Sequence, residues 1–203
     1  MGLSDVKAIT ISDEVALDAD GISTATSVGN NAALTIGGAL HSGGTVTNAS
    51  GRQVTILSAG NDSSKSFTVV GTDVNGDSLT ETVTGANAGT ATSSGFFKTI
   101  TSITAVGNPA GNVSAGINNS AADVIFAGRV RLKGFSIVSG GSAGTIEFKN
   151  TSPAGTTLFK AKTIGTDNTT IDRTIPAEGV LFDAGMYVTY TVGTIDMMTF
   201  FYA

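Results

Sequence analysis

The hydrophobic pattern along this chain has a period of two almost everywhere. Clusters of Gly, Asn, Asp and Ser interrupt the alternation about every eight to twelve residues, and no segment shows a helical period. This pattern predicts an all-β fold made of antiparallel β-sandwich or jelly-roll domains. The strands are predicted at residues 53–58, 66–74, 77–84, 96–106, 124–126, 129–138, 145–149, 157–163, 170–175, 179–182, 187–192 and 197–202.

One hairpin is predicted in detail, around Asn75-Gly76. Asn-Gly between two alternating runs is a strong hairpin signal, and the loop length decides which side chains share a face. A three-residue loop that ends at Gly76 pairs Phe67 with Val83, which places two apolar side chains together. We therefore predict that loop, with Gly76 in the left-handed conformation at a bulge.

Composition shifts along the chain predict three segments. Residues 1–48 are expected to be an extended N-terminal arm followed by an irregular Gly-rich stretch, residues 49–120 a β-rich domain, and residues 121–203 a C-terminal β-sandwich. A linker of small polar residues at 117–123 separates the last two.

The predicted arm suggests a way of docking. Residues 1–20 are acidic and poorly patterned for a core, yet apolar side chains recur in them at nearly even spacing. An extended peptide of this kind can add a strand to the sheet edge of a neighbour. The expected contact residues of the arm are Val6, Ile9, Ile11 and Val15.

Charge is scarce in this chain, and this scarcity bears on whether the protein acts as part of an assembly. Only 13% of the residues are charged, while 27 are Gly and 30 are Thr. A surface with few charges suits a protein that faces other subunits. The last predicted strand is apolar on both faces, so we expect Met197 and Phe201 at or near the interface of a homo-oligomer, expected to be a trimer. A β domain with a polar uncharged coat would share this composition.

The remaining charges are unevenly distributed. Residues 1–124 hold ten acidic and four basic residues, whereas residues 125–203 have a net charge of +1. This balance argues against nucleic acid as a partner. Arg129, Arg131 and Lys133 alternate on one strand face, which is either a solvated surface or a contact with an acidic shell protein. No apolar run predicts a signal peptide or a membrane span, so a soluble chain without a membrane partner is expected.

Candidate catalytic chemistry is sparse. The single histidine, His41, lies in a Gly-rich stretch, and the chain has no Cys. The segment Gly140–Gly144 matches G-x-S-x-G, but the strand pattern after it predicts a hairpin turn in place of a nucleophile elbow. Asp73, Asn75, Asp77 and Glu81 imitate a calcium loop, yet Ser78 occupies the position where that loop needs Gly. We therefore expect no catalytic residues, no metal and no cofactor.

The chain resembles β-rich structural proteins of tailed phages. The resemblance is carried by Leu34–Gly44, Arg52–Asp62, Phe67–Asp77, Glu81–Thr90 and Ile175–Val188. Proteins of this kind that decorate capsids are small, charge-poor β-sandwiches, commonly trimeric. The resemblance implies a cement protein on the outside of a virion capsid, with the major capsid protein as its partner. Two alternatives share the composition: a tail, neck or head-fibre component, and a bacterial adhesin module.

Overall fold

The computed structural model describes residues 5–12, 18–117, 122–191 and 193–203. Within these ranges the chain forms strands, turns and loops but no helix, so the predicted all-β class is confirmed. The strands are β1 Lys7–Ser12, β2 Asp18–Thr26, β3 His41–Ser42, β4 Thr45–Arg52, β5 Val54–Ser58, β6 Ser66–Thr72, β7 Ser78–Thr84, β8 Thr90–Thr92, β9 Phe97–Val106, β10 Val113–Ile117, β11 Ala122–Phe126, β12 Val130–Ser139, β13 Thr145–Asn150, β14 Thr157–Lys162, β15 Thr169–Thr174, β16 Val180–Phe182, β17 Met186–Tyr190 and β18 Ile195–Tyr202.

The chain divides into two compact units that do not follow sequence order. One unit combines residues 1–15 with residues 121–203, and we call it the terminal unit. The other, residues 16–120, is called the central unit. The predicted linker at 117–123 spans the point where the chain passes from one unit to the other. The predicted N-terminal segment 1–48, by contrast, is divided between the two.

The terminal unit is a sandwich of two antiparallel sheets. One sheet has the order β1-β18-β12-β15, with β16 also paired to β12, and the other runs β14-β13-β17-β11. Alternate side chains of both sheets meet in one apolar core, as the period-two pattern requires. The buried members of this core are Ile11, Ile125, Val130, Leu132, Phe135, Ile137, Ile146, Phe148, Phe182, Met186, Val188, Tyr190, Ile195, Met198 and Phe200.

An aromatic cluster joins the two sheets of the terminal unit. The ring of Phe148 lies 5.4 Å from Phe135, 5.6 Å from Phe159 and 5.5 Å from Phe200, measured between centroids. Phe135 and Phe200 belong to the first sheet, whereas Phe148 and Phe159 belong to the second. Centroid separations in this range are those of favourable aromatic pairs. The cluster therefore holds the two layers of the sandwich together.

The central unit also contains two antiparallel sheets. One has the order β2-β10-β5-β8, and the other includes β4-β9-β6-β7 with β3 paired to β4. Its largest fully buried side chains include Ile22, Ile56, Phe67, Phe97 and Ile103. Like the terminal unit, it has the paired-sheet organisation expected from short alternating strands.

The hairpin between β6 and β7 confirms the predicted register. Phe67 pairs with Val83, and both are buried. In the loop, the N–H of Asp73 donates to the carbonyl of Asp77 at 2.9 Å, and the N–H of Gly76 donates to the carbonyl of Asp73 at 3.2 Å. Gly76 has a φ of +91°, the left-handed conformation that a turn of this kind requires after its central residues.

The predicted extended arm is replaced, in its described part, by a strand of the terminal unit. Strand β1 pairs with β18 over six residues in one uninterrupted register, in which Ile9 faces Phe200 and Ile11 faces Met198. Burial of these two isoleucines against the core side of β18 and the six-residue hydrogen-bonded ladder together offset the cost of ordering the strand. The apolar spacing that suggested a docking arm thus serves the protein's own sheet.

Strands β2, β4, β8 and β10 were not predicted, and their sequences explain why. Strand β10 is buried at all five positions but contains small residues, so it lacks alternation. Gly116 in this strand is required by packing, because a Cβ there would lie 1.6 Å from the carbonyl oxygen of Asp18. Strands β2 and β4 contain Asp, Asn, Ser and Gly, residues that are more typical of turns, and β8 has only three residues.

Candidate interaction surfaces

On the outer face of the sheet β1-β18-β12-β15, the rows in which all four strands pair carry a single charged side chain, Asp172. Arg131 and Lys133 of β12 lie on the same side, at the end where β12 pairs with β16. The side chains of the outer face lie in registered rows across the four strands, opposite to those that enter the core. We call this surface the charge-poor face. It consists of Ala8 and Thr10 from β1, Met197, Thr199 and Phe201 from β18, Gly134, Ser136 and Val138 from β12, and Thr170, Asp172 and Thr174 from β15.

Two large apolar side chains project from this surface. Met197 is 37% exposed and Phe201 is 39% exposed, whereas their neighbours Met198 and Phe200 are buried in the core. Between them the hydroxyl groups of Thr10 and Thr199 lie 3.0 Å apart, close enough for a hydrogen bond. Apolar side chains flanked by uncharged hydroxyls are typical of a surface that another protein covers.

A shallow groove borders the charge-poor face at one end. It is lined by Val6, Lys133, Gly134, Thr174 and Phe201, among other residues. Val6 is 55% exposed, so the groove is partly apolar and open to solvent. Its charged lining residues are Lys133, Arg173 and Asp172, and the ammonium group of Lys133 donates to the backbone carbonyl of Glu178 at 3.1 Å.

The outer face of the other sheet in the terminal unit is highly charged by comparison. We call it the lysine face, and it consists of Thr145, Glu147 and Lys149 from β13, Leu158, Lys160 and Lys162 from β14, and Tyr187 and Thr189 from β17. Three lysines and one glutamate give it a positive excess. The lysine face therefore carries more charge than the charge-poor face, although both belong to one sandwich.

Glu147 organises the lysine face. Its carboxylate contacts the ammonium groups of Lys160 and Lys149, the latter at 3.1 Å, and it accepts a hydrogen bond from the Thr157 hydroxyl at 3.2 Å. Hydrogen bonds from Lys160 and then Lys149 lower the pKa of Glu147 to about 2. The carboxylate stays ionised at all ordinary pH values, and it neutralises only part of the surrounding positive charge.

The structure separates the residues of the predicted arm contact. Ile11 is buried, and Ile9 also packs against the core, so neither is offered to a neighbour while β1 stays in its sheet. Val6 alone is well exposed. Val15, the fourth predicted contact residue, lies outside the described residues. The expectation of an arm that docks through all four side chains is corrected accordingly.

The predicted basic strand is only partly free of internal contacts. Arg129 is exposed just before β12. The guanidinium of Arg131 donates to the carbonyl of Glu178 at 3.4 Å, and Lys133 contacts the carbonyls of Ala177 and Glu178. These two side chains therefore help to hold the turn before β16, whether or not they also meet a partner.

The predicted last strand has one buried face and one exposed face. Ile195, Met198 and Phe200 enter the core, whereas Met197 and Phe201 reach solvent. Alternation alone places neighbouring residues on opposite faces. Burial of the second face, as the sequence led us to expect, would require a partner.

The weak catalytic and metal motifs have structural roles. Nδ1 of His41 lies 2.7 Å from the Gly38 carbonyl, which fixes the imidazole against a turn. Asp73 accepts hydrogen bonds from the N–H groups of Asn75 and Asp77 and so caps its own hairpin loop. Within the described ranges, no group of three or more His, Cys, Asp or Glu side chains could hold a metal ion.

The G-x-S-x-G segment is a crossing loop and not the predicted hairpin turn. It leads from β12 in the first sheet of the terminal unit to β13 in the second. The two strands share no ladder because each has other partners. A strand follows the segment, where a nucleophile elbow needs a helix.

Glu81 performs a role that sequence reasoning missed. Its two carboxylate oxygens accept hydrogen bonds from the N–H of Ser94 at 2.6 Å and from the N–H of Gly95 at 2.7 Å. Bidentate, charge-assisted hydrogen bonds are among the stronger ones. The carboxylate therefore latches the loop between β8 and β9 onto β7. The run of small residues at 93–95 was the available sequence signal for this loop, but nothing in the sequence links that run to Glu81, 13 positions before Ser94.

No family model, curated protein or solved structure matches this chain. In the part of the chain that the structure describes, no helix is long and apolar enough to cross a membrane. The site must therefore be interpreted from its own geometry.

Proposed function

We propose that this protein is a non-catalytic structural subunit of a tailed-phage virion that decorates the outside of the capsid and stabilises capsomer junctions. The observation that carries the proposal is the contrast between the two outer faces of the terminal unit. One is charge-poor with exposed Met197 and Phe201, and the other carries Lys149, Lys160 and Lys162.

The charge contrast supports a subunit with two different neighbours. A charge-poor face loses little solvation free energy when it is covered, so it suits contact with another copy of the chain or a similar uncharged surface. A lysine face suits an acidic surface, because complementary charges accelerate and orient association. In the proposal the acidic neighbour is the major capsid protein, and the virion surface is where the protein acts.

The composition of the chain and its turn residues add support for a virion origin. The chain resembles phage structural proteins in its Gly, Thr and Asn-Gly turns, and its low charge suits dense packing of many copies. The proposed role needs no cofactor and involves neither nucleic acid nor a membrane. Copy number distinguishes this role from a tail, neck or head-fibre role, because a cement protein covers the whole shell.

The direct test uses heads of a phage that encodes this chain, prepared from a mutant that lacks the gene. Purified protein should bind these heads at a regular ratio to the capsid protein, and decorated heads should release DNA at a higher temperature than bare heads. Absence of binding, or binding confined to the tail, would refute the capsid role.

Two matched charge-reversal variants locate the contact. In one, Arg129, Arg131 and Lys133 are changed to Glu; in the other, Lys149, Lys160 and Lys162 are changed to Glu. Both alter the net charge equally, so a difference between them reports position. We expect the second variant to lose head binding at low salt, because Lys160 and Lys162 are exposed on β14, whereas Arg131 and Lys133 are half-buried and contact backbone carbonyls. Equal binding by both variants and the unmodified protein would refute an electrostatic shell contact.

A further inference from the structure

We infer that the outer edge of β1 pairs with β1 of a second copy, so that two terminal units join through one continuous antiparallel sheet. Among the strands in the described ranges, β1 ends its sheet, with β18 on its inner side. An edge strand leaves alternate N–H and C=O groups free to pair with another strand. The inference does not depend on the proposed function, since it rests on this edge alone.

The other edge strands carry features that block such pairing. Strand β15 has Asp172 and Arg173 near its middle, β14 has Lys160 and Lys162, and β7 has Glu81. Strand β2 pairs with its neighbour through two register shifts, and β8 has three residues. Charges, irregular ladders and short length are the usual protections of a sheet edge against unwanted pairing.

Strand β1 has none of these protections in its middle. Its one charged residue, Lys7, is its first, and it contains no Pro. Its ladder with β18 runs through six pairs without a register shift, so the strand is regular. The central residues Ile9, Thr10 and Ile11 are β-branched, the type that favours strand pairing. Thr10 and the residues before Ile9 are exposed, so the edge is accessible.

The strand is complementary to itself. Across a two-fold axis at Ile9, Ala8 lies opposite Thr10 of the partner subunit, and Lys7 lies opposite Ile11 of the partner subunit. Paired residues of an antiparallel ladder project from the same face, so the core sides of both copies coincide in this register. Within the six residues of β1 like charges do not meet, because the lysines are offset from the axis. The charge-poor faces then continue across the junction as one surface.

A contact of this kind is small and closed. One added ladder buries much less than the roughly 800 Å² per partner of a standard interface, so dissociation at low concentration is expected. The two-fold pairing occupies the β1 edges of both copies, so a third copy finds no free β1 edge to pair with. The inference therefore predicts a dimer, in contrast to the trimer expected from the sequence.

The test compares two double lysine variants of the full chain by sedimentation velocity over a dilution series. Ala8→Lys with Thr10→Lys places like charges opposite each other at the proposed junction. Thr170→Lys with Thr174→Lys adds the same charge to the exposed face of β15, the opposite edge strand of the same sheet. We expect the β1 variant to raise the dimer dissociation constant by about tenfold, and the β15 variant to leave it within about twofold.

Hydrogen exchange of the unmodified protein gives a second readout that needs no substitution. Amides of β1 should exchange more slowly as the concentration rises, while those of β15 should not change. This measurement decides the matter if the β1 variant fails to fold by circular dichroism. A chain that sediments as a monomer or a trimer at about 1 mM, well above the dissociation constant of a typical weak dimer, would overturn the inference. Concentration-independent hydrogen exchange in β1 would also overturn it. Failure of head decoration would leave the dimer unaffected.

Discussion

Truncation of Phe148 tests whether the aromatic cluster joins the two sheets of the terminal unit. Phe148 is fully buried, and its ring contacts Phe135 and Phe200 from the opposite sheet. Phe148→Ala removes these contacts and leaves a cavity, because the rings on both sides are held by strands. The expected loss in the free energy of unfolding is about 3–5 kcal/mol. That is a large share of the roughly 5–15 kcal/mol that stabilises an ordinary domain.

The matched control is Phe201→Ala, the same substitution on the outer, solvent-facing side of the sheet that contains β18. Phe201 is 39% exposed and has lost fewer water contacts on folding, so the expected cost is about 1 kcal/mol or less. With a urea m-value of about 2 kcal/mol/M, Phe148→Ala should lower the midpoint by about 1.5–2.5 M, and Phe201→Ala by about 0.5 M or less.

Tyrosine fluorescence during urea unfolding is the suitable assay. The protein has no Trp, and its three tyrosines, Tyr187, Tyr190 and Tyr202, all belong to the terminal unit. The signal therefore follows the unit that carries both substitutions. Equal midpoint shifts for the two variants would show that the face assignment of the last strand and the aromatic cluster is wrong.

Three further predictions follow from single contacts. Glu81→Gln should cost about 1–2 kcal/mol in urea unfolding, because an amide cannot accept both backbone hydrogen bonds; an unchanged midpoint would refute the latch. Because the pKa of Glu147 is lowered to about 2, its contribution to stability is complete above pH 4.5 and is lost as the pH falls toward 2. The melting temperature of Glu147→Gln should therefore depend less on pH in that window than the melting temperature of the unmodified protein. Parallel curves would contradict this. Gly76→Ala should cost about 1 kcal/mol because φ is +91°, whereas Gly141→Ala, with equally open space and no positive φ, should cost nothing measurable in the same melts.

Most of the local structure could be predicted from the sequence, because strands and turns depend on residues that are close together in the chain. Strand formation follows alternation within a few residues, and a turn such as Asn75-Gly76 sets the register of its own hairpin. The predicted pairing of Phe67 with Val83 is correct because both partners lie close to that turn. Strands β6, β7, β9 and β12 to β18 were likewise recognisable from their own residues.

The tertiary structure decided which strands share a sheet and which faces meet solvent. Strand β1 pairs with β18, almost the whole chain away, and no local pattern distinguishes that edge from the edge of a neighbouring molecule. The last strand is apolar on both sides, so only the core that it joins determines that Met198 is buried and Met197 exposed. The contacts of Glu81 with Ser94 and Gly95 depend on the same long-range order. Short-range patterns determine the strands themselves. Burial of apolar side chains, however, is gained only when distant strands pair, and no single position in the sequence specifies that pairing.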